Sequence, residues 1–267
     1  MDFYELLEEG RLSEALEHQL QQWRSSPGTL EVGIPLIIVQ VMLGNWLEAR
    51  QLLQAIPVMD QDEKEYLDIW SHLLTCDEAR QQPNVVPTIL GESLPWLPTW
   101  EKVFRLYDQE IPDSLLDEWE QLQENDDLFQ GNLPGTINGE PFETFLDPDE
   151  RWHPMLELFT ERGWSVIPFP SVRVIDLQTT EDMMDLLYRY IEVRLHSGEI
   201  IRGRTPRFYR LTCQSNDPEI QSGVSTEFTE PNGLMCCRGE RNWIIEEEPT
   251  SVMEDVSIEF PKVMRLF

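Results

Sequence analysis

Two short stretches, GRLSEAL at residues 10–16 and GNWLEAR at residues 44–50, share the form Gly-x-x-x-Glu-Ala, and their glycines stand 34 residues apart. The sequence around each reads as a tight turn between two helices. Phe3, Leu6 and Leu7 form a short apolar face that stops at Gly10, a natural helix terminator. Ser13 is placed to cap the next helix, which carries Ala15, Leu16, Leu20 and Trp23 on one side and ends before Pro27. Ile34 to Leu43 reads as a third helix with Pro35 in its first turn. Gly44 stops it, and Trp46, Ala49, Leu52 and Leu53 mark a fourth that ends at Pro57.

A 34-residue period with Gly at the turn and a small Ala in the second helix matches the tetratricopeptide unit, in which paired helices stack into an array. Three further helices are expected at about residues 61–82, 95–109 and 112–125, from Tyr66, Ile69, Trp70, Leu73 and Leu74 to Leu115, Leu116, Trp119 and Leu122. Near residue 131 the character changes. GNLPGTINGEPF, rich in Gly, Pro and Asn, reads as a linker or irregular loop. Beyond it come short β-like runs: MLELF, WSVIPF, VRVIDL, YIEVRL, EIIRGR, RFYRLT and VSIEF. Ile191, Val193 and Leu195 alternate with Glu192, Arg194 and His196, and residues 196–199 read as a hairpin turn. A short helix is expected at about 180–187. The fold class is therefore α+β in two domains: a helical, tetratricopeptide-like hairpin array over residues 1–130 and a mostly antiparallel α+β domain over 131–267.

Fifty acidic residues against 20 Lys and Arg give a net charge of −30. Counterion release needs a basic surface, so nucleic acid is not an expected partner, and an anionic membrane face is equally disfavoured. From Leu106 to Glu150 there are 14 acidic residues and no Lys, Arg or His, the pattern of a solvated face or of an acidic docking face. The start, MDFYELLEEG, is acidic and helix-like, unlike a signal peptide, and no apolar run approaches the roughly 20 residues that span a bilayer. Cys76, Cys213, Cys236 and Cys237 lack C-x-x-C spacing and fit reduced thiols of a cytoplasmic protein.

The densest polar cluster is LDPDERWHPMLE, with Asp147, Asp149, Glu150, His153 and Glu157. Carboxylates beside a His can bind a metal or move protons, so a metal-dependent hydrolase built on residues 147–157 is one alternative function. An acidic mimic of nucleic acid is another. Against an enzyme, there is no H-E-x-x-H, phosphate loop or G-x-S-x-G elbow, and His18, His72, His153 and His196 are scattered. No residue is assigned as catalytic, cofactor-binding or metal-ligating; a structural network around Arg151 is the expectation.

The run from Pro134 to Val172, PGTINGEPFETFLDPDERWHPMLELFTERGWSVIPFPSV, resembles the signature of the ImpE family, also called SciE-type or TagJ-like accessory proteins of bacterial type VI secretion. Gly139, Phe142, Asp147, Asp149, Arg151, Pro154, Glu157, Trp164 and Pro168 carry the likeness. Asp185, Leu186, Gly198, Pro206 and Tyr209 extend it, and DEAR at 77–80 stands where the family has Ala-Glu-x-x-Arg. The family's late Gly-Gln-Arg element falls in NGLMCCRGERNWII and is altered. The resemblance implies a divergent, cytoplasmic, non-enzymatic adaptor without cofactors. It further implies binding to the N-terminal helix of the contractile-sheath small subunit, with a link to the ATPase that recycles the sheath.

Overall fold

The computed structural model describes residues 2–106, 109–230, 233–246, 248–251 and 255–261. Its first half is built from α1 (Phe3–Glu8), α2 (Leu12–Ser25), α3 (Leu30–Met42), α4 (Trp46–Ala55), α5 (Gln61–Gln81), a two-residue strand β1 (Thr88–Ile89), α6 (Leu97–Arg105) and α7 (Asp113–Asn125). The two quoted turns share one bonding pattern. Gly10 N–H donates to the Leu7 carbonyl at 3.0 Å and Arg11 N–H to Leu6 at 2.8 Å; Gly44 N–H donates to Val41 at 2.9 Å and Asn45 N–H to Gln40 at 2.8 Å. With φ at +69° and +74°, both glycines occupy the left-handed position of a Schellman cap. Ala15 and Ala49, fully buried, follow at equivalent places and let the paired helices approach.

Each turn has a second role. A Cβ on Gly10 would lie 3.1 Å from Glu219 Cγ, and one on Gly44 would lie 3.2 Å from Cys213 Sγ. The hairpin tips therefore abut one segment of the second half, the 3-10 turn at Thr212–Gln214 and α8 (Pro218–Ser222). That 3-10 turn and another at Met183–Leu186 contact α3, whose residues 33–42 are all buried. Repeat arrays commonly offer a concave face to ligands. Here the inner face is covered by the chain itself.

Several expectations change in detail. Ser13 does not cap α2. The Schellman turn runs straight into the helix, so Arg11 holds the cap position and its carbonyl accepts from Ala15 N–H at 2.9 Å. The third helix begins earlier than read, at Leu30, which places Pro35 inside it, unable to donate to the Glu31 carbonyl. The first 130 residues are not purely helical, because β1 pairs parallel to β6 (Gly163–Pro168), Thr88 opposite Ser165.

The remainder holds β2 (Gly135–Ile137), β3 (Glu140–Phe142), β4 (Phe145–Leu146), β5 (Met155–Thr160), β6, β7 (Val172–Gln178), β8 (Tyr188–Leu195), β9 (Ile200–Pro206), α8, β10 (Thr226–Thr229), β11 (Cys236–Gly239), β12 (Asn242–Ile245), β13 (Glu248–Ser251) and β14 (Val256–Glu259). Nine strands form one sheet in the order β1-β6-β5-β9-β8-β7-β14-β2-β3, antiparallel except at β1. The pair β10-β11 and the triplet β13-β12-β4 make two small sheets. Ile191, Val193 and Leu195 are buried as the alternation required, and Leu195 N–H closes the 196–199 turn on Glu199 at 2.9 Å.

The stretch expected as a linker or irregular loop at 131–142 instead holds the β2–β3 hairpin over 135–142, turned by Asn138-Gly139 at φ +50° and +87°. Conversely, RFYRLT is not a strand: Phe208 makes a single bridge to Glu240 and Leu211 sits at φ +65°. Its backbone serves α5, the Phe208 carbonyl accepting from Arg80 and Leu211 N–H donating to the Gln81 side chain. One continuous apolar core runs from Leu12 and Trp70 through Trp100 to Ile191 and Ile258, so helices and sheet are packed as one body.

Replacing Gly44 with Ala puts a Cβ at positive φ and against Cys213, so a loss of about 1–2 kcal/mol is expected in urea denaturation. An unchanged midpoint would show that the turn relaxes without cost.

Candidate functional site

The sequence cluster at 147–157 folds inward. Asp147, Asp149 and Glu157 are each no more than 1% exposed, and Arg151 is 4% exposed. Asp149 receives Arg151 Nε at 2.8 Å and Nη2 at 2.6 Å, the Arg151 backbone N–H at 3.1 Å and Cys237 N–H at 3.0 Å. Asp147 accepts from Asp149 N–H at 3.0 Å and Tyr209 Oη at 2.9 Å, with Arg241 Nε 3.6 Å away.

Glu157, on β5, is gripped from the helical side. Arg80 of α5 donates to it through Nε at 2.7 Å and Nη2 at 3.1 Å, and Nη2 also reaches the Phe208 carbonyl at 2.6 Å. Trp164 Nε1 donates at 2.7 Å from β6, and Arg241 Nη2 lies 2.8 Å from the second oxygen. Asp77, one turn before Arg80, accepts from Tyr188 Oη at 2.8 Å. Arg241 lies over the Trp152 and Tyr209 rings at 4.8 and 5.2 Å. Arg210 donates to the Gln82 carbonyl at 2.6 Å and lies over Trp164.

Burial pushes the Asp147 carboxyl up to about 7, against the pull of Arg241. Burial raises Asp77 too, opposed by Arg80 and Tyr188. Burial would also lift Glu157, but Arg80 and Arg241 hold it below the ordinary carboxylate range. Tyr188 and Tyr209 are driven well above theirs by burial and by the adjacent Asp77 and Asp147. His153 falls to about 4 through burial, so it is neutral at pH 7, with Nε2 3.1 Å from the Leu128 carbonyl. Cys236 rises to about 12 because it is buried, and Cys237 rises as well; both thiols behave as packing groups.

Of the nine residues that carry the family likeness, Asp147, Asp149, Arg151, Glu157 and Trp164 meet in this cluster. The other four lie elsewhere. Gly139 is at the open tip of the β2–β3 hairpin, where a Cβ would meet nothing within 4 Å. Phe142 packs on Phe145 and Phe260. The Pro154 carbonyl accepts from Phe169 N–H at 3.1 Å, while Pro168 pairs opposite Met155.

The sequence pattern does not single out Arg241 or Tyr188. The trace of Arg241 is the altered Gly-Gln-Arg element. In Gly239-Glu240-Arg241 the Gly holds φ +108° against the Ser225 carbonyl, the Arg is the buried cation, and only the middle residue differs, pairing outward with Arg207 at 2.9 Å. Apart from Asp147 and Asp149, most of the acidic run lies outside: on α7 only Trp119 is buried. Among the described residues, no group of three or more His, Cys, Asp or Glu is arranged to hold a metal ion, and no helix is long and apolar enough to cross a membrane.

What the fold and cluster define is a helical-repeat and sheet scaffold locked by buried ion pairs. Residues 139–259 match the family described as ImpE protein. The chain is 24% identical over 259 residues, 96% of this chain and 90% of the relative, to the type VI secretion system accessory component TagJ of Pseudomonas aeruginosa. A protein of Vibrio parahaemolyticus, known from an X-ray crystal structure, has the same fold: TM-score 0.81 and 17% identity over 99% of both chains.

Arg80→Ala leaves Glu157 without its bidentate partner and should cost about 3–5 kcal/mol. Arg151→Ala leaves Asp149 two backbone donors and should cost less, about 1–3 kcal/mol, both read by urea denaturation. Equal, negligible losses would show that the cluster is dispensable.

Asp147 gives a pH signature. Its folded value of about 7 lies above the ordinary 3.8, so the folded protein keeps a proton that the unfolded chain has released. Its contribution is full at low pH and is lost as pH rises through 7. Asp147→Asn, always neutral, should therefore gain on the wild type by on the order of 2 kcal/mol between pH 5 and pH 8. A difference that stays flat with pH would reject a proton on Asp147.

Proposed function

We propose that the protein is an accessory component of a type VI secretion system, acting in the cytoplasm by binding other proteins rather than by catalysis. The observation that carries this reading is the near full-length likeness to TagJ, an accessory component by name, which spans both the helical half and the sheet. We assign residues 1–130 as the docking part and 131–267 as the part that fixes its shape. Gly139, Phe142, Asp147, Asp149, Arg151, Pro154, Glu157, Trp164 and Pro168 are assigned structural roles, five of them in the ion cluster. The hydrolase alternative loses support because Asp147, Asp149 and Glu157 are buried and each already faces an arginine.

The partner we propose is the N-terminal helix of the contractile-sheath small subunit, with the sheath-recycling ATPase downstream. An amphipathic helix with Lys and Arg beside its apolar face suits a chain of net charge −30. Long-range attraction would speed its approach, and apolar burial would hold it. A groove rimmed only by carboxylates is not what the outer face of α1–α2 presents: Glu14 and Glu17 alternate there with Arg11 and Arg24, and Arg11 already bonds Glu9 and Glu14.

A labelled peptide of that helix, titrated at several salt concentrations, tests the role. Affinity should fall but persist from about 0.05 to about 0.5 M salt, as the Debye length contracts from roughly 14 to 4 Å. No binding at any concentration would remove the sheath-adaptor reading.

A further inference from the structure

An unpaired sheet edge is a template for another chain, and proteins blunt it with proline, brevity or cover. The nine-stranded sheet ends in β1 and β3, and the triplet in β13 and β4. β1 and β4 are two residues long, and the Phe145 N–H of β4 is taken by the Gly131 carbonyl at 2.9 Å. β3 and β13 carry Pro141 and Pro249, which have no N–H to offer. Among the described residues, β10 has none of these defences: its four residues, TEFT, pair with β11 on one side and with nothing on the other.

The direction of its backbone groups follows from β11. Cys237 N–H turns away from β10 to Asp149 at 3.0 Å. Gly239 turns the same way, its N–H to Thr212 Oγ1 at 2.8 Å and its carbonyl to Tyr209 N–H at 3.0 Å. In an antiparallel ladder, a residue whose groups turn outward stands opposite one that does the same. The partners of Cys237 and Gly239 are Phe228 and Thr226. Both therefore aim N–H and C=O at the free side, and no described residue bonds to these four groups. Phe228 is 55% exposed and shares its face with the buried Cys237. The exposed Glu227 projects from the other face, opposite Arg238.

We infer that the outer edge of β10 takes an extended segment of a partner protein as a third strand, with an apolar side chain beside Phe228 and a Lys or Arg beside Glu227. The four open main-chain groups call for a strand; a helix spends its own N–H and C=O groups internally. A two-stranded ribbon is also marginal alone, and a third strand completes it. A second copy fits poorly. The symmetric pairing that satisfies all four groups sets Glu227 directly opposite Glu227 of the copy, a like-charge pair. A cation in that place is drawn by Glu227 and by the net charge of −30, while Arg238 stands two strands away, about 10 Å, or one Debye length. The site does not depend on the helix-binding reading above; it gives the sheet half of the chain a partner of its own.

Two measurements test this. In amide hydrogen exchange of the free protein, Thr226 and Phe228 should exchange about tenfold or more faster than Glu227 and Thr229, which bond inward to β11. Equal rates would show that the outer side is not open and overturn the inference. A phage-displayed library of random seven-residue peptides, selected on the full chain, should converge on an apolar residue next to a Lys or Arg. The selected peptide, labelled, should bind Thr226→Pro about tenfold more weakly than Thr226→Val, since both lose the hydroxyl but only proline loses the outward N–H; a thermal melt by circular dichroism checks that each folds. Glu227→Lys should weaken that peptide and tighten a counterpart with Glu in place of its basic residue. A library without a consensus, or a peptide that binds all three variants as tightly as the wild type, removes the strand site. Neither result bears on the sheath-helix reading, which stands or falls on its own peptide.

Discussion

The bidentate bond from Arg80 to Glu157 is the constraint on which the rest of the molecule depends. It joins residues 77 positions apart, one on α5 and one on β5, and both are almost wholly out of contact with water. Burying a lone charge costs several kcal/mol, so each member must find nearly all its partners inside. That demand explains the neighbours. Trp164 supplies a third donor to Glu157, Arg241 a second cation, and Arg80 also reaches the Phe208 carbonyl and Asp77. A core of apolar side chains could be as stable, but it would fix the register less firmly. Sliding α5 by one residue would swing Arg80 about 100° away from Glu157 and strand both charges.

The same logic governs how the hairpins sit. Arg80 and Gln81 draw on the backbone at 208–211, and the chain that follows passes across the tips of both hairpins. Gly10 and Gly44 serve the turn and this contact at once, since any Cβ there would crowd Glu219 or Cys213. The repeat is thus adapted to an internal neighbour. Its inner face, the part of an array most often left open, is closed by residues of the same chain.

How much of this is legible in the sequence follows from the physics of each signal. Helices with an apolar stripe are legible, as are long strands with alternation such as β8, because one face of each is buried in a large core. The β2–β3 hairpin is hidden by its composition, although Asn138-Gly139 is a strong two-residue turn signal. RFYRLT looks like a strand because Tyr and Phe favour strands, but here they anchor a loop. Arg80 and Arg241 are the harder case. Charged residues are rarely buried, so sequence alone assigns them to the surface. Only the spacing of DEAR, and the incomplete Gly-Gln-Arg element, hint that these arginines are different.

Charge is therefore sorted by depth. The buried groups among the described residues include five arginines (80, 151, 189, 210 and 241) and five carboxylates (77, 147, 149, 157 and 185). The interior is close to balanced, and the surplus of −30 is carried almost entirely by groups in contact with water. Exposed charges contribute little to holding a fold, because water and salt screen them. Their collective field nonetheless extends beyond the surface and favours encounter with cationic partners. The two populations answer different needs: paired charges inside specify how helices meet the sheet, and the acidic surplus outside biases what the assembled surface meets.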